Sequence, residues 1–105
     1  MDSIVGIWDL KLRTPIGSLA VVYTFTDTAG GLRGVAEGRG ETVPLTDINQ
    51  ETTAEGRRVT WHQSITRPIH LNLDFDVTVS GDTLTGHSRA GRLPRSNVTG
   101  NRRNA

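Results

Sequence analysis

The residues of this chain best suited to proton transfer or metal binding are three histidines and the carboxylates near them. His62, His70 and His87 fall on three successive segments, the middle one of which also carries Asp74 and Asp76. Imidazole beside carboxylate is the arrangement of a general base and, with a further ligand, of a divalent-metal site. The spacing matches no known metal motif, and the chain has no Cys to supply thiolate ligands. All three His alternate out of phase with the apolar residues around them. They are therefore expected on a solvated face, in an outer ladder of opposite charges worth roughly 0.2–1 kcal/mol per pair. A second set is expected on inward, apolar faces: Tyr23, Gln63, Ser88 and, depending on how Pro44 bends its strand, Asp47 or Asn49. Polar groups among apolar walls either satisfy one another or orient a bound molecule. In a catalytic version, a desolvated Asp47 carries a raised pKa suited to proton transfer, and Tyr23 donates to a developing oxyanion.

These residues need strands to position them. Ile69, Leu71, Leu73, Phe75, Val77 and Val79 alternate with polar residues from Ile69 to Ser80. That period marks a strand with one face in a core and the other in water. Further alternating strands are expected over Ile4–Arg13, Leu19–Phe25, Leu32–Arg39, Thr42–Gln50, Arg57–Thr66, Thr83–Ala90 and Arg95–Arg102. The breaks between them carry turn residues, among them Thr14-Pro15-Ile16-Gly17, Asp27–Gly31 and Thr66-Arg67-Pro68. Ser80-Gly81-Asp82-Thr83 reads as a tight hairpin with Gly where a type II′ turn requires it. Its register sets Asp76 against His87 and Asp74 against Arg89, and the preceding hairpin sets His62 beside Asp74. Leu32, Gly34, Ala36 and Gly38 share one face, where small residues let a sheet curl or leave room for something bulky opposite. With short connections and no convincing helix, the expected fold is all-β: a single-domain, eight-stranded, up-and-down antiparallel β-barrel over residues 1–105. Closure removes the two exposed edges.

Composition narrows the function classes. The 105 residues are 34% hydrophobic with 12 Gly and a net charge of +1. Five Arg and no acid lie in residues 83–105. They are spread over two strands and a tail with no aromatic on which bases could stack, so no nucleic-acid partner is expected. No apolar stretch approaches the roughly 20 residues needed to span a bilayer. Met1–Gly6 shows no basic segment followed by an apolar run, so no signal peptide is expected and a cytoplasmic location is. Gly30-Gly31-Leu32-Arg33-Gly34 lacks the Lys-Ser/Thr and the following helix of a phosphate loop.

Gly6-Ile7-Trp8 on the first strand and Val98-Thr99-Gly100-Asn101-Arg102 on the last resemble the calycin (lipocalin-like) signature. The chain as a whole is similar to small bacterial lipocalin-like barrels, through Thr14-Pro15-x-Gly17 and Gly81-Asp82-x-Leu84-x-Gly86 as well. The resemblance implies that Arg102 covers the Trp8 indole and closes one end of the barrel, a favourable guanidinium–aromatic contact. It also implies a barrel that binds small, largely apolar molecules, a minority of such barrels being cyclases, isomerases or lyases. The chain is shorter than a secreted lipocalin and lacks the disulfides, so any cavity is expected to be small or open.

The expected function is binding of a small apolar or aromatic molecule by Tyr23, Phe25, Trp61, Gln63, Leu73, Phe75 and Ser88, with no cofactor and no metal. Two alternatives belong to other classes. One is a cofactor-independent isomerase, cyclase or lyase using Asp47 and Tyr23. The other is an interaction module that pairs barrels, as a homodimer, through the face bearing His62, Asp74, Asp76 and His87.

Overall fold

The alternation of apolar and polar residues is realised as a meander of antiparallel strands. The computed structural model describes residues 3–14, 17–38, 40–65 and 71–103. His70, the expected turns at Pro15-Ile16 and Thr66–Pro68, Arg39 and the tail at 104–105 lie outside the described residues. Among those described are nine strands: β1 (Gly6–Thr14), β2 (Gly17–Thr28), β3 (Gly31–Gly38), β4 (Glu41–Pro44), β5 (Thr46–Thr53), β6 (Gly56–Ile65), β7 (Leu71–Ser80), β8 (Thr83–Arg89) and β9 (Ser96–Arg102). They form one sheet in the order β4-β3-β2-β1-β9-β8-β7-β6-β5, every pair antiparallel. The result is a nearly closed antiparallel barrel.

The ninth strand arises where eight were expected because the fourth is broken. β4 pairs with β3, and Leu45 N–H donates to Gly34 O at 2.9 Å. One residue later Thr46 pairs with His62 on β6. The segment from 41 to 53 thus passes from one side of the seam to the other and completes the circuit. Pro44 explains the break, since it has no N–H for a ladder. The register then shifts between Thr46 and Asn49, with Asp47 at φ +53°. That is a β-bulge at a residue type that tolerates the left-handed region. Asn49 Nδ2 donates to Asp47 O at 3.1 Å and holds it.

Inside, the packing follows the alternation. Trp8, Leu10, Tyr23, Phe25, Trp61 and Phe75 are among the buried core residues. Small residues stand where strands or large side chains approach closely. A Cβ at Gly34 would lie 2.8 Å from Leu45 Cδ1 and 3.0 Å from the Phe25 ring, which accounts for the small inward face of β3. At Gly86 a Cβ would collide with the Asp76 carbonyl on β7. Gly81 at φ +60° begins the β7–β8 turn, and Ser80 pairs with Thr83 as the hairpin reading requires.

One end of the barrel is plugged. Arg102 sits 4.4 Å over the centre of the Trp8 ring, in the contact implied by the resemblance. Its guanidinium donates to Ser3 O, Val5 O, Gly81 O and Asp82 Oδ1. Trp8 Nε1 in turn donates to Ile4 O at 2.8 Å, so the N-terminal residues fold across the end. A Cβ at Gly6, whose φ is +131°, would press on Arg102 Nη1.

Candidate functional site

Two places gather the residues singled out by their chemistry, one inside the barrel and one outside. Inside, Tyr23 and Phe25 project from β2, and Trp61, Gln63 and Phe75 from β6 and β7, all buried. β2 and β7 face each other across the barrel, with three strands, β1, β9 and β8, between them in the sheet order. Even so, the Tyr23 and Phe75 ring centres are 6.0 Å apart. Trp61 stacks on Phe75 at 4.9 Å and meets Phe25 edge-on at 5.3 Å. The four rings therefore occupy the cross-section at this level, consistent with an eight-stranded circuit being just wide enough for side chains.

The polar atoms of this cluster bond to one another. Gln63 Oε1 accepts from Tyr23 Oη at 2.7 Å and from Trp61 Nε1 at 3.0 Å. Burial pushes the Tyr23 phenol well above its ordinary pKa, so it stays protonated as a donor. Among the described residues no buried side-chain nitrogen or oxygen lacks a partner. Ser88 is buried on β8 opposite Phe75, and Leu73 on β7 opposite Gln63. Every inward residue expected to contact a ligand thus faces the interior.

Asp47 does not. Regular alternation from the buried Leu45 would have carried Asp47 and Asn49 inward. The bulge adds a residue and reverses the parity, so Ile48 packs on the core while Asp47 and Asn49 are exposed. Asp47 is exposed while Tyr23 is fully buried, so the two do not share a cavity.

Asp47 instead helps line an open cleft of about 390 Å³ on the outer face, with His62, Asp74, Asp76, His87 and Arg89. The registers expected from the hairpins are present: His62 opposite Asp74, Asp74 opposite Arg89 and Asp76 opposite His87. His62 Nδ1 lies 2.9 Å from Asp74 Oδ1. Arg58 grips Asp76 through two hydrogen bonds of 3.0 and 2.6 Å and reaches Glu51 at 2.9 Å. That guanidinium holds the Asp76 carboxyl below the usual carboxylate range. No group of three ligating side chains able to hold a metal occurs among the described residues. What the cleft offers chemically is an imidazole oriented by a carboxylate. The joining of Asp47 to the ladder was not legible from alternation, because it depends on the bulge.

Comparison with protein-family models, with curated proteins and with solved structures gives no match. The class is defined by the fold alone, a small antiparallel β-barrel, an architecture that hosts many functions. No helix among the described residues is long and apolar enough to cross a membrane.

Proposed function

We propose that the barrel binds a small, largely apolar molecule at the end opposite the Trp8–Arg102 plug. The observation that carries this reading is the contrast between the two ends. Near the plug, the inward residues Trp8, Val79 and Leu84 are at most 1% exposed, with Leu32 at the start of β3 the partly exposed exception. Toward the other end, inward Leu19, Val21, Leu71 and Ala90 pack on the core but stay partly exposed. They form an apolar rim above Leu12 and Leu73. The floor is the ring cluster with Gln63. Because Tyr23 Oη and Trp61 Nε1 both donate to Gln63 Oε1, neither is left to call for an acceptor on the ligand, which favours a largely apolar one. The lipocalin-like resemblance supports the same end, since Arg102 over Trp8 blocks the other.

The test is fluorescence of Trp61 in a Trp8→Phe variant, titrated with small aliphatic and aromatic compounds. The reading expects a saturable change that Leu71→Asp abolishes while the far-UV circular dichroism is kept. No response to any compound would refute it.

A second reading, proton-transfer catalysis without a cofactor, is favoured by the His62–Asp74 pair in the outer cleft. It requires that turnover of some substrate fall on His62→Gln and be unaffected by Tyr23→Phe.

A further inference from the structure

We infer that two copies of this chain pair through the outer face of β1–β4, the face opposite the charged β6–β8 ladder. The β1–β2, β2–β3 and β3–β4 registers align Ile7, Thr24, Val35 and Pro44 in one row across four strands. All four alternate out of phase with buried Trp8, Tyr23 and Ala36, so the row faces outward. Val5 and Ile7 are each 40% exposed, and half-buried Val22 adjoins the row on β2. The opposite face is built differently, its charges linked in Arg58–Asp76, Arg58–Glu51 and His62–Asp74 pairs. A mostly apolar row, exposed at Ile7 and Pro44 and half-buried at Thr24 and Val35, is the kind of surface a partner covers.

The charges beside the row identify the partner as a second copy. On β3, Arg33 and Glu37 flank Val35 two residues away on either side, both exposed. Neither makes a hydrogen bond or ion pair among the described residues. A closed dimer uses the same patch twice, related by a two-fold axis lying in the interface. With that axis along the Ile7–Pro44 row, strand direction reverses in the second copy. Val35 then meets Val35, Glu37 lies over Arg33 of the second copy, and Arg33 over its Glu37. Across β1–β4 the operation stacks no like charges, and on β9 Arg103, beside Ile7, comes over its own copy with its guanidinium already held by Asp9. The operation also brings Val22 over Thr26, and Val5 over an Asp9 whose carboxylate is already neutralised by Arg103 at 2.5 Å. Opposite charges bracketing an apolar centre set register and specificity more than affinity. A dimer that dissociates on dilution is therefore expected.

Sedimentation analysis of the whole protein, from low to high micromolar concentration, tests this. The wild type should form a reversible dimer. Arg33→Glu alone places carboxylates over carboxylates, and Glu37→Arg alone places guanidinium over guanidinium. Each should weaken association by about tenfold or more. An equimolar mixture of the two single variants should form a heterodimer, and the double variant R33E/E37R should dimerise like the wild type. Both sites are exposed, so far-UV circular dichroism should not change. A wild type that stays monomeric throughout would overturn the inference. So would single variants that associate as the wild type does, or a mixture that gains nothing over its components.

Discussion

Replacing Gln63 with Leu tests whether the barrel is spanned by its own hydrogen bonds. Leu is close to Gln in volume, so the main change is loss of one acceptor that serves two buried donors, Tyr23 Oη at 2.7 Å and Trp61 Nε1 at 3.0 Å. Gln63 is only 3% exposed, so water does not readily replace it. Each buried donor left unpaired costs about 1–3 kcal/mol, which puts Q63L at about 2–6 kcal/mol. That is a large share of the roughly 5–15 kcal/mol that keeps a typical domain folded. Tyr23→Phe removes one bond but leaves Gln63 accepting from Trp61, and should cost only about 0.5–1.5 kcal/mol. In the Y23F background, Q63L orphans Trp61 Nε1 alone. The double variant should therefore be more stable than the sum of the singles predicts, by about 1–3 kcal/mol. Urea unfolding followed by far-UV circular dichroism gives all four corners of the cycle, independently of any change in Trp61 emission. A Q63L cost under about 0.5 kcal/mol, or an additive cycle, would refute the account of the interior.

Two other predictions concern the plug and the outer ladder. Arg102→Ala removes the ring contact and four acceptors' common donor, and should cost about 2–4 kcal/mol in urea unfolding. Arg102→Lys should recover less than half of that, because an ammonium has no planar fork. The pH dependence has a definite sign. Arg58 lowers the Asp76 carboxyl below its ordinary value of 3.8, so their pairing stabilises the folded state above that value and is lost as pH falls through the depressed one. Arg58→Ala should therefore be less stable than the wild type at neutral pH, with the gap closing in acid well below 3.8. A gap constant with pH would contradict the assignment.

Much of this was legible because strand alternation is a local property. Leu71–Ser80 announces its inward face residue by residue, and Gly81-Asp82 fixes the β7–β8 register through turn geometry. From there the outer neighbours His62, Asp74, His87 and Arg89 follow by counting. That Tyr23 and Gln63 face inward was equally readable. Their bond was not, since forty residues separate them and only closure of the barrel brings β2 over β6. The filling of the interior likewise depends on how far four rings reach across the circuit, which no single strand encodes. The seam was readable only in part. Pro44 signals an interrupted ladder, whereas the bulge at Asp47 depends on a tolerated left-handed residue whose neighbours do not mark it. One extra residue there reversed the parity of Asp47 and Asn49 and moved a candidate acid from the interior to the outer cleft.

The central claim is that a small apolar ligand enters at the end opposite Trp8 and Arg102. The most direct measurement is methyl NMR of the wild-type protein, titrated with small aliphatic and aromatic compounds. The account predicts saturable shift changes at Leu12, Leu19, Leu71 and Leu73, with Val79 and Leu84 beside the plug unmoved. Shifts confined to Val79 and Leu84, or none with any compound, would contradict it.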